Sequence, residues 1–154
     1  MLKQPSRDAA GKVEPHDHPE IADEDTLIRR IDPSQHVVHD ENRNCMRLSS
    51  KAFQPSSEEG GGMSVDIEKL MIGDEVEPAA YVTNPKYLGS IRFPAGAARA
   101  EKLRVGYDPL PENPYHGEVW GETRPNRFSR TQQKAICGAS NWLVQITDVE
   151  IQFW

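Results

Sequence analysis

His116 and Glu118 are the two residues whose types and spacing are best suited to chemistry. They lie two positions apart on a segment that reads as a strand, and residues two apart on a strand face the same side. An imidazole and a carboxylate can therefore be presented to one cleft. A carboxylate beside an imidazole can hold its tautomer and raise its pKa, which is the arrangement of a general base. The alternative is a surface pair with no catalytic role.

The segment that precedes this pair is a proline-rich loop between two short apolar runs. Residues 108–118 contain Pro109, Pro111 and Pro114, together with the polar Asn113. Proline fixes its own φ angle and restricts the residue before it to extended conformations. We therefore expect a rigid loop, and a rigid loop that concentrates polar groups between strands is a reasonable place for a site.

Three further residues stand on other extended segments and complete the candidate site. Arg30 lies on the first extended segment, and Ser49 and Ser50 end a later one. We predict that Arg30, Ser49, His116 and Glu118 converge in one cleft, and we count Ser50 and Asn113 among the ligand-binding candidates. The serines also suit the start of a helical turn, where hydroxyl oxygens accept from free N–H groups, so a structural role stays open.

The order of these residues along the chain resembles that of the arginine-serine-glutamate mono-ADP-ribosyltransferases. The family typically has a serine-threonine-serine and a Glu-x-Glu or Gln-x-Glu, where this chain has LSSK and HGE. The resemblance implies that Arg30 holds the phosphate of NAD and that Ser49 and Ser50 support the nicotinamide pocket. Glu118 would then assist attack at the ribose, and NAD would be the cofactor.

A second resemblance covers most of residues 26–121. The segments RLSSKAFQPS, GGMSVD and DPLPENPYHGEV are similar to segments of uncharacterised small bacterial proteins. This resemblance implies a bacterial or phage source, but it carries no activity with it.

Composition divides the 154 residues into two parts. Most of the net charge of −6 lies in residues 1–25, which have few apolar residues and several Pro and Gly. Such a segment cannot bury enough surface to order itself, so we expect a disordered acidic tail at 1–25 and a single domain at 26–154. The sequence His16-Asp17-His18 is interpreted as part of the solvated tail, and no metal site is expected.

Several classes of protein are excluded or disfavoured by what the sequence lacks. It contains no GxGxxG, Walker A, HExxH, paired CxxC or GxSxG motif. Metabolic enzymes of the common nucleotide-binding folds are therefore not expected. No cofactor is expected either, apart from NAD if the protein is a transferase. The acidic balance disfavours nucleic acid as a partner. No stretch approaches a membrane span, and the distant Cys45 and Cys137 indicate free thiols in the cytoplasm.

Short apolar runs, with no regular alternation of strand and helix, predict an α+β fold with a mixed or antiparallel sheet. The terminal stretch Val149–Trp154 alternates, which predicts a strand with Val149, Ile151 and Phe153 facing the core. The other predicted elements are strands at 27–31, 87–93, 103–107 and 117–120, and helices at 64–72, 95–102 and 129–137.

The function expected from these observations is that of a binding or interaction module of a bacterial or phage system. It would act on a protein partner through the rigid loop 108–118. The alternative is an NAD-dependent ADP-ribosyltransferase-like enzyme that uses Arg30, Ser49, Ser50 and Glu118.

Overall fold

The computed structural model describes residues 1–56, 61–122 and 126–154. Within these ranges, short helices pack on a six-stranded sheet and a three-stranded sheet. The predicted α+β class is therefore confirmed. In the same ranges, no helix has the length and apolar content that crossing a membrane requires.

The strands, in chain order, are β1 (Thr26–Ile31), β2 (Val37–Asp40), β3 (Cys45–Leu48), β4 (Met63–Ile67), β5 (Gly89–Pro94), β6 (Leu103–Tyr107), β7 (His116–Gly121), β8 (Asn141–Val144) and β9 (Ile151–Gln152). The helices are α1 (Pro33–His36), α2 (Glu68–Gly73), α3 (Pro78–Val82), α4 (Ala95–Arg99) and α5 (Arg130–Gly138), with one turn of 3-10 helix at Ser50–Phe53. The larger sheet has the order β6-β7-β4-β1-β5-β8 and is antiparallel throughout, and the smaller sheet has the order β2-β3-β9.

Strand β1 lies at the centre of the larger sheet and separates early from one of its neighbours. It pairs with β5 along its whole length, but with β4 only at Leu27↔Ile67 and Ile28↔Asp66. Beyond Ile28 the two strands diverge, and the side chain of Arg29 bridges the gap to the carbonyl of Ser64 on β4, 3.1 Å away. This divergence opens the sheet where the candidate site lies.

Apolar residues of β1 contribute to both faces of the larger sheet, because successive side chains of a strand point to opposite sides. Leu27 and Ile31 belong to the main core, which includes residues of α4, α5 and the 3-10 turn. Ile28 belongs to a smaller cluster with Met71 of α2 and Val82 of α3. Both faces of the sheet are therefore covered near its centre.

The N-terminal segment 1–25 is ordered, and the prediction of a disordered tail is wrong. The backbone N–H of His18 donates to the carbonyl of Val105 at 2.8 Å, and Asp17 accepts from the N–H of Val105 at 2.9 Å. His16 Nε2 accepts from the N–H of Tyr107 at 3.1 Å. The HDH sequence thus pairs with the free edge of β6 instead of lying in solvent.

Ion pairs and a few apolar side chains hold this N-terminal segment in place. Arg99 of α4 binds Asp17 at 2.9 Å and Asp23 at 2.8 Å. Val13 and Ile21 are buried despite the low apolar content around them. Low apolar content did not predict disorder correctly here, because the segment is stabilised mainly by polar contacts with the edge of the sheet. An unpaired edge strand offers free N–H and C=O groups for such contacts.

Two other predicted elements differ from the structure. The helix predicted at 64–72 is the strand β4 followed by α2, and Val65 and Ile67 are buried with the period of a strand. The predicted terminal strand is reduced to the two residues of β9, which pair in parallel with β3. Ile151 is buried, whereas Val149 is exposed.

Candidate functional site

A cleft of about 750 Å³ opens where β1 and β4 diverge. Its walls come from α1, from the segment after the 3-10 turn and from the proline-rich loop. The predicted residues Arg30, Asn113 and His116 line it together with Arg29 and Asp66. The other described residues that line it are Asp32, Gln35, His36, Lys51, Gln54, Pro55, Ser56, Ser64, Val65, Lys86, Tyr87, Leu110 and Glu112.

Asp66 organises the base of the cleft. Its register with Ile28 puts it on the same face of the sheet as Arg30, two residues further along β1. Arg30 therefore reaches both carboxylate oxygens of Asp66, with Nε 2.8 Å from Oδ2 and Nη2 3.3 Å from Oδ1. Such a two-point contact fixes the plane of the guanidinium as well as its position.

Asn113 connects the loop to this ion pair. Its Nδ2 donates to Asp66 Oδ1 at 2.6 Å, and its Oδ1 accepts from the hydroxyl of Tyr81 at 3.1 Å and from the N–H of Tyr115 at 3.2 Å. The Arg30 guanidinium also lies over the ring of Tyr81, 5.7 Å from its centroid. The loop is held by these contacts as well as by its prolines.

Arg29 places a second positive charge at the cleft. Its guanidinium donates to the carbonyl oxygens of Ala52, Ser64 and Gln54, at 2.9, 3.1 and 3.5 Å. No carboxylate in the described ranges forms an ion pair with it. Desolvation lowers the pKa of Arg29 from its ordinary value to about 10, so the group stays charged at neutral pH.

His116 takes Asp108 rather than Glu118 as its hydrogen-bond partner. Its Nδ1 lies 2.8 Å from the carbonyl oxygen of Asp108 and 3.5 Å from the carboxylate of the same residue. Burial opposes protonation, but the hydrogen bonds and charge of Asp108, helped by the charge of Glu118, raise the pKa of His116 above its usual value. The imidazole is thus oriented by the residue that opens the loop.

Glu118 lies on the same face of the sheet as His116, as predicted, because both belong to β7 and pair with Ser64 and Asp66 of β4. Its Oε2 accepts from the N–H of Gly62 at 3.0 Å. Burial raises the pKa of Glu118, an effect that the Gly62 hydrogen bond and His116 partly offset. Glu118 does not belong to the described lining of the cleft.

Asp108, His116 and Glu118 form the group in the described chain that could hold a metal ion. Each offers one ligand atom, and these atoms lie within 4.8 Å of one another. Imidazole and carboxylate are ligands that zinc and other divalent transition metals accept. Sequence analysis considered only His16-Asp17-His18 as a metal-binding fragment and expected no metal site; Asp108 and His116 are separated in the sequence by the whole loop.

Ser49 and Ser50 lie outside the cleft. They line a separate depression of about 600 Å³, together with Arg47, Arg130 and Trp154 among others. Ser49 occupies the cap position of the 3-10 turn without a side-chain capping bond, and its buried hydroxyl oxygen has no hydrogen-bond partner in the described ranges. The structure therefore brings Arg30, Asn113 and His116 together but separates them from the two serines.

Sequence analysis did not count Asp66 and Asp108 among the site residues, and of the neighbouring Arg29 and Arg30 on the first extended segment it counted only Arg30. Asp66 was assigned to a helix that is in fact a strand, so its alignment with Arg30 was hidden. The partners of Arg29 are backbone carbonyls, which leave no signal in the sequence. Asp108 had a usable signal, since it directly precedes the first proline of the loop.

The chain has no match among protein-family models, among curated proteins or among solved structures. Both resemblances given above therefore stay predictions.

Proposed function

We propose that this protein is a binding module that receives an anionic group of its ligand in the cleft beside loop 108–118. The observation that carries the proposal is the concentration of positive charge there. Arg29 and Arg30 lie at the cleft together with the exposed Lys51 and Lys86, in a chain whose net charge is −6.

Two of the carboxylates that line the cleft are already engaged. Asp66 accepts from Arg30 and Asn113, and Asp32 accepts from the N–H and the hydroxyl of Ser34. Hydrogen bonds of this kind lower the pKa of Asp32, with that of the Ser34 hydroxyl the largest contribution. Both carboxylates therefore already accept hydrogen bonds, and they offer little capacity to neutralise a further cation.

The two lysines remain available to a ligand. Neither Lys51 nor Lys86 forms an ion pair with a carboxylate in the described part of the chain, and Lys86 Nζ lies 5.2 Å from the centroid of the Tyr87 ring. Attraction between charges is stronger in a cleft than in open solvent. A carboxylate or phosphate group of the ligand would supply the negative partner that the two lysines lack.

The anionic group could belong to a free small molecule or to a protein partner. Leu110, Glu112, Asn113 and His116 make the loop one wall of the cleft, and the bonds of Asn113 keep this wall in place before a ligand arrives. Preorganisation of this kind reduces the entropy lost on binding. It supports a binding role for the loop under either source of the anion.

The transferase alternative has less support from the geometry. An arginine in a cleft suits the phosphate of NAD, and Arg30 and Glu118 share one face of the sheet. However, Ser49 and Ser50 line the other depression, and Glu118 is turned to the N–H of Gly62. A nicotinamide pocket that needs all these residues would have to extend from the cleft past Gln35 and Lys51 to the serines, and Glu118 belongs to the described lining of neither depression.

Calorimetric titration and thermal denaturation with inorganic phosphate, citrate and NAD test the proposal. We expect the simple anions to bind and to stabilise the fold, since ligand at 100 times its Kd adds about 2.7 kcal/mol. Lys86→Ala should weaken binding several-fold, and Lys3→Ala, an exposed lysine outside the cleft, should not.

Absence of binding by every anion, or equal binding by Lys86→Ala and the native protein, would overturn the proposal. Binding of NAD alone, followed by release of nicotinamide that Glu118→Gln abolishes, would favour the transferase. Phosphate and citrate also represent a free small-molecule anion, as opposed to an acidic group carried by a protein partner. If they bind weakly while a partner carrying acidic residues binds tightly through the same lysine, the anion is displayed by a protein.

A further inference from the structure

The second depression continues the cleft. Gln35 and Lys51 line both of them, so the two meet at these side chains. Helix α1 contributes to both walls, with His36 on the cleft and Ser34 on the depression. The cleft and this adjoining depression, together called the groove, cover the surface from the proline-rich loop, past Lys51, to the C-terminal residues.

The far end of this groove is also cationic. Arg47 and Arg130 line it, and its described lining contains no Asp or Glu side chain. Arg47 is paired with Asp40 at 2.8 Å, but Arg130 lies over the ring of Trp154, 5.5 Å from the centroid. Lys134 lies 5.0 Å from the same ring. A tryptophan with two cations beside it offers an apolar surface next to positive charge.

A ligand that occupies the whole groove must be extended. The two parts measure about 750 and 600 Å³, and each alone has the size of a pocket for a single drug-sized molecule, about 300–1,000 Å³. A compact anion would fill one part and leave the other empty. An occupant that uses both cationic ends must have anionic groups separated by a linker.

An acidic peptide fits these charges better than a nucleic-acid strand. The described lining of the cleft includes Asp32, Asp66 and Glu112 beside its cations, and a continuous phosphate backbone would be repelled by these carboxylates. A peptide carries charge only at chosen positions and can place neutral residues opposite these carboxylates.

We propose that the groove binds an extended acidic segment of a partner protein. One carboxylate of the segment lies at Arg30 and Lys86, a second lies at Arg130 beside Trp154, and the backbone between them passes Gln35 and Lys51. This inference rests on the proposed function, because its first contact is the anion site of the cleft.

Binding of short blocked peptides, measured by titration calorimetry, tests the inference. One peptide carries a glutamate near each end, and two others have one of these glutamates replaced by glutamine. We expect the first to bind about tenfold more tightly than either of the others, which corresponds to 1.4 kcal/mol. Arg130→Ala should remove this gain, and Lys3→Ala should keep it. Arg130 is exposed, and circular dichroism checks that the variant folds.

The other outcomes show which of the two proposals fails. If phosphate binds in a Lys86-dependent manner but the second glutamate adds nothing, the groove is not used as one site and the proposed function stands. If neither phosphate nor any peptide binds, both proposals fail. If a single-stranded oligonucleotide binds more tightly than the peptides and loses affinity in Arg130→Ala, the occupant is a nucleic acid and the peptide is rejected.

Discussion

Asp66 is the residue on which the geometry of the cleft depends most. It is 2% exposed and binds Arg30 from β1 and Asn113 from the loop. Its carboxylate thus joins three segments that are distant in the sequence. A charge this deeply placed is stable only because both oxygens are satisfied.

Asp66→Asn is therefore expected to destabilise the fold by about 2 kcal/mol, since removal of one partner leaves the other charge without compensation. The effect stays below that of a fully buried pair because the Arg30 side chain keeps 22% of its exposure. Urea denaturation measures it. Glu68→Gln is the matched control, because Glu68 pairs with exposed Arg92 at 3.9 Å. A loss of less than about 0.5 kcal/mol in Asp66→Asn would show that the pair is energetically neutral.

His36 makes the stability of the fold depend on pH. Its Nδ1 accepts from the N–H of Asp32 at 2.9 Å, and this requires the neutral ring. Desolvation and the charge of Arg29 lower the pKa of His36 from 6.5 to about 4, against the opposing effect of Asp32. Between pH 6.5 and 4 the unfolded chain binds a proton at this histidine and the folded chain does not, so stability falls as pH falls.

We expect a loss on the order of 2 kcal/mol from His36 on acidification from pH 7 to pH 4. His36→Asn keeps an acceptor for the Asp32 N–H but cannot be protonated in this range, so its stability should depend less on pH. Urea denaturation at several pH values measures the slope. His39→Asn, at an exposed histidine, is the matched control. Parallel pH profiles for His36→Asn and the native protein would contradict the assignment.

At the scale of elements, the N-terminal segment acts as a cover for the edge of β6. Ile21 is 1% exposed and belongs to the main core. Deletion of residues 1–24 should therefore lower the Tm by several degrees, because each 1 kcal/mol corresponds to about 2–4 °C in a chain of this size. Differential scanning calorimetry measures the change. An unchanged Tm would mean that the segment is only loosely attached.

A single substitution separates the apolar from the polar part of this effect. Ile21→Ala should cost about 2–4 kcal/mol, as large-to-small changes in a core do. Ile72→Ala provides the matched control, since Ile72 is 60% exposed and its truncation should cost less than about 0.5 kcal/mol. Equal losses in the two variants would show that Ile21 contributes no more than a surface residue.

The C-terminal strand offers a similar pair of residues. Ile151 is 4% exposed and pairs with Met46 of β3, whereas Val149 is 42% exposed. Ile151→Ala is expected to cost about 3 kcal/mol, and Val149→Ala, the control, should lie within about 0.5 kcal/mol of the native protein. Stability of Ile151→Ala equal to that of the native protein would mean that β9 is not required for the smaller sheet.

Local patterns in the sequence predicted those elements whose cause is itself local. Helix α5 begins at Ser129, which forms a capping box with Gln132, and β6 and β7 flank the loop as predicted. The change from β4 to α2 was missed because both lie in one apolar run. The order of segment 1–25 could not be predicted, since it depends on an edge that exists only in the folded sheet.

In the candidate site, too, local patterns predicted some residues, whereas contacts that depend on the folded sheets were missed. Arg30, Asn113 and His116 were predicted as polar residues beside strands, and their shared face follows from alternation once the register is known. Ser49 follows β3, which belongs to the smaller sheet. Sequence spacing does not show which sheet a strand joins, so the separation of Ser49 from Arg30 could not be predicted.

At the scale of the whole molecule, charge is distributed unevenly. The chain has a net charge of −6, while the groove carries clustered arginines and lysines. Part of the N-terminal acidity is neutralised locally, since Asp17 and Asp23 bind Arg99 and Asp25 binds Lys69. A free anion is therefore repelled at a distance and attracted only near the cleft.

The repulsion by the net charge acts over a long range, whereas the attraction within the cleft acts only at short range. The affinity for a simple anion should therefore not fall steadily as salt is added. The screening length falls from about 30 Å at 0.01 M salt to about 8 Å at 0.15 M and about 3 Å at 1 M. Moderate salt should remove the long-range repulsion and leave the contacts in the cleft almost intact. We expect phosphate affinity to stay level or rise up to about 0.15 M and to fall towards 1 M, as measured by titration calorimetry.

Neutral variants of the acidic N-terminal segment isolate the long-range contribution. Glu14→Gln combined with Glu24→Gln changes two exposed residues that lie outside the groove. Because these changes reduce the repulsion, the double variant should bind phosphate more tightly than the native protein at low salt and equally well at 0.15 M, where the screening length is about 8 Å. A steep fall in native affinity from the lowest salt onward, unchanged in the double variant, would show that the cleft alone determines the electrostatics of binding.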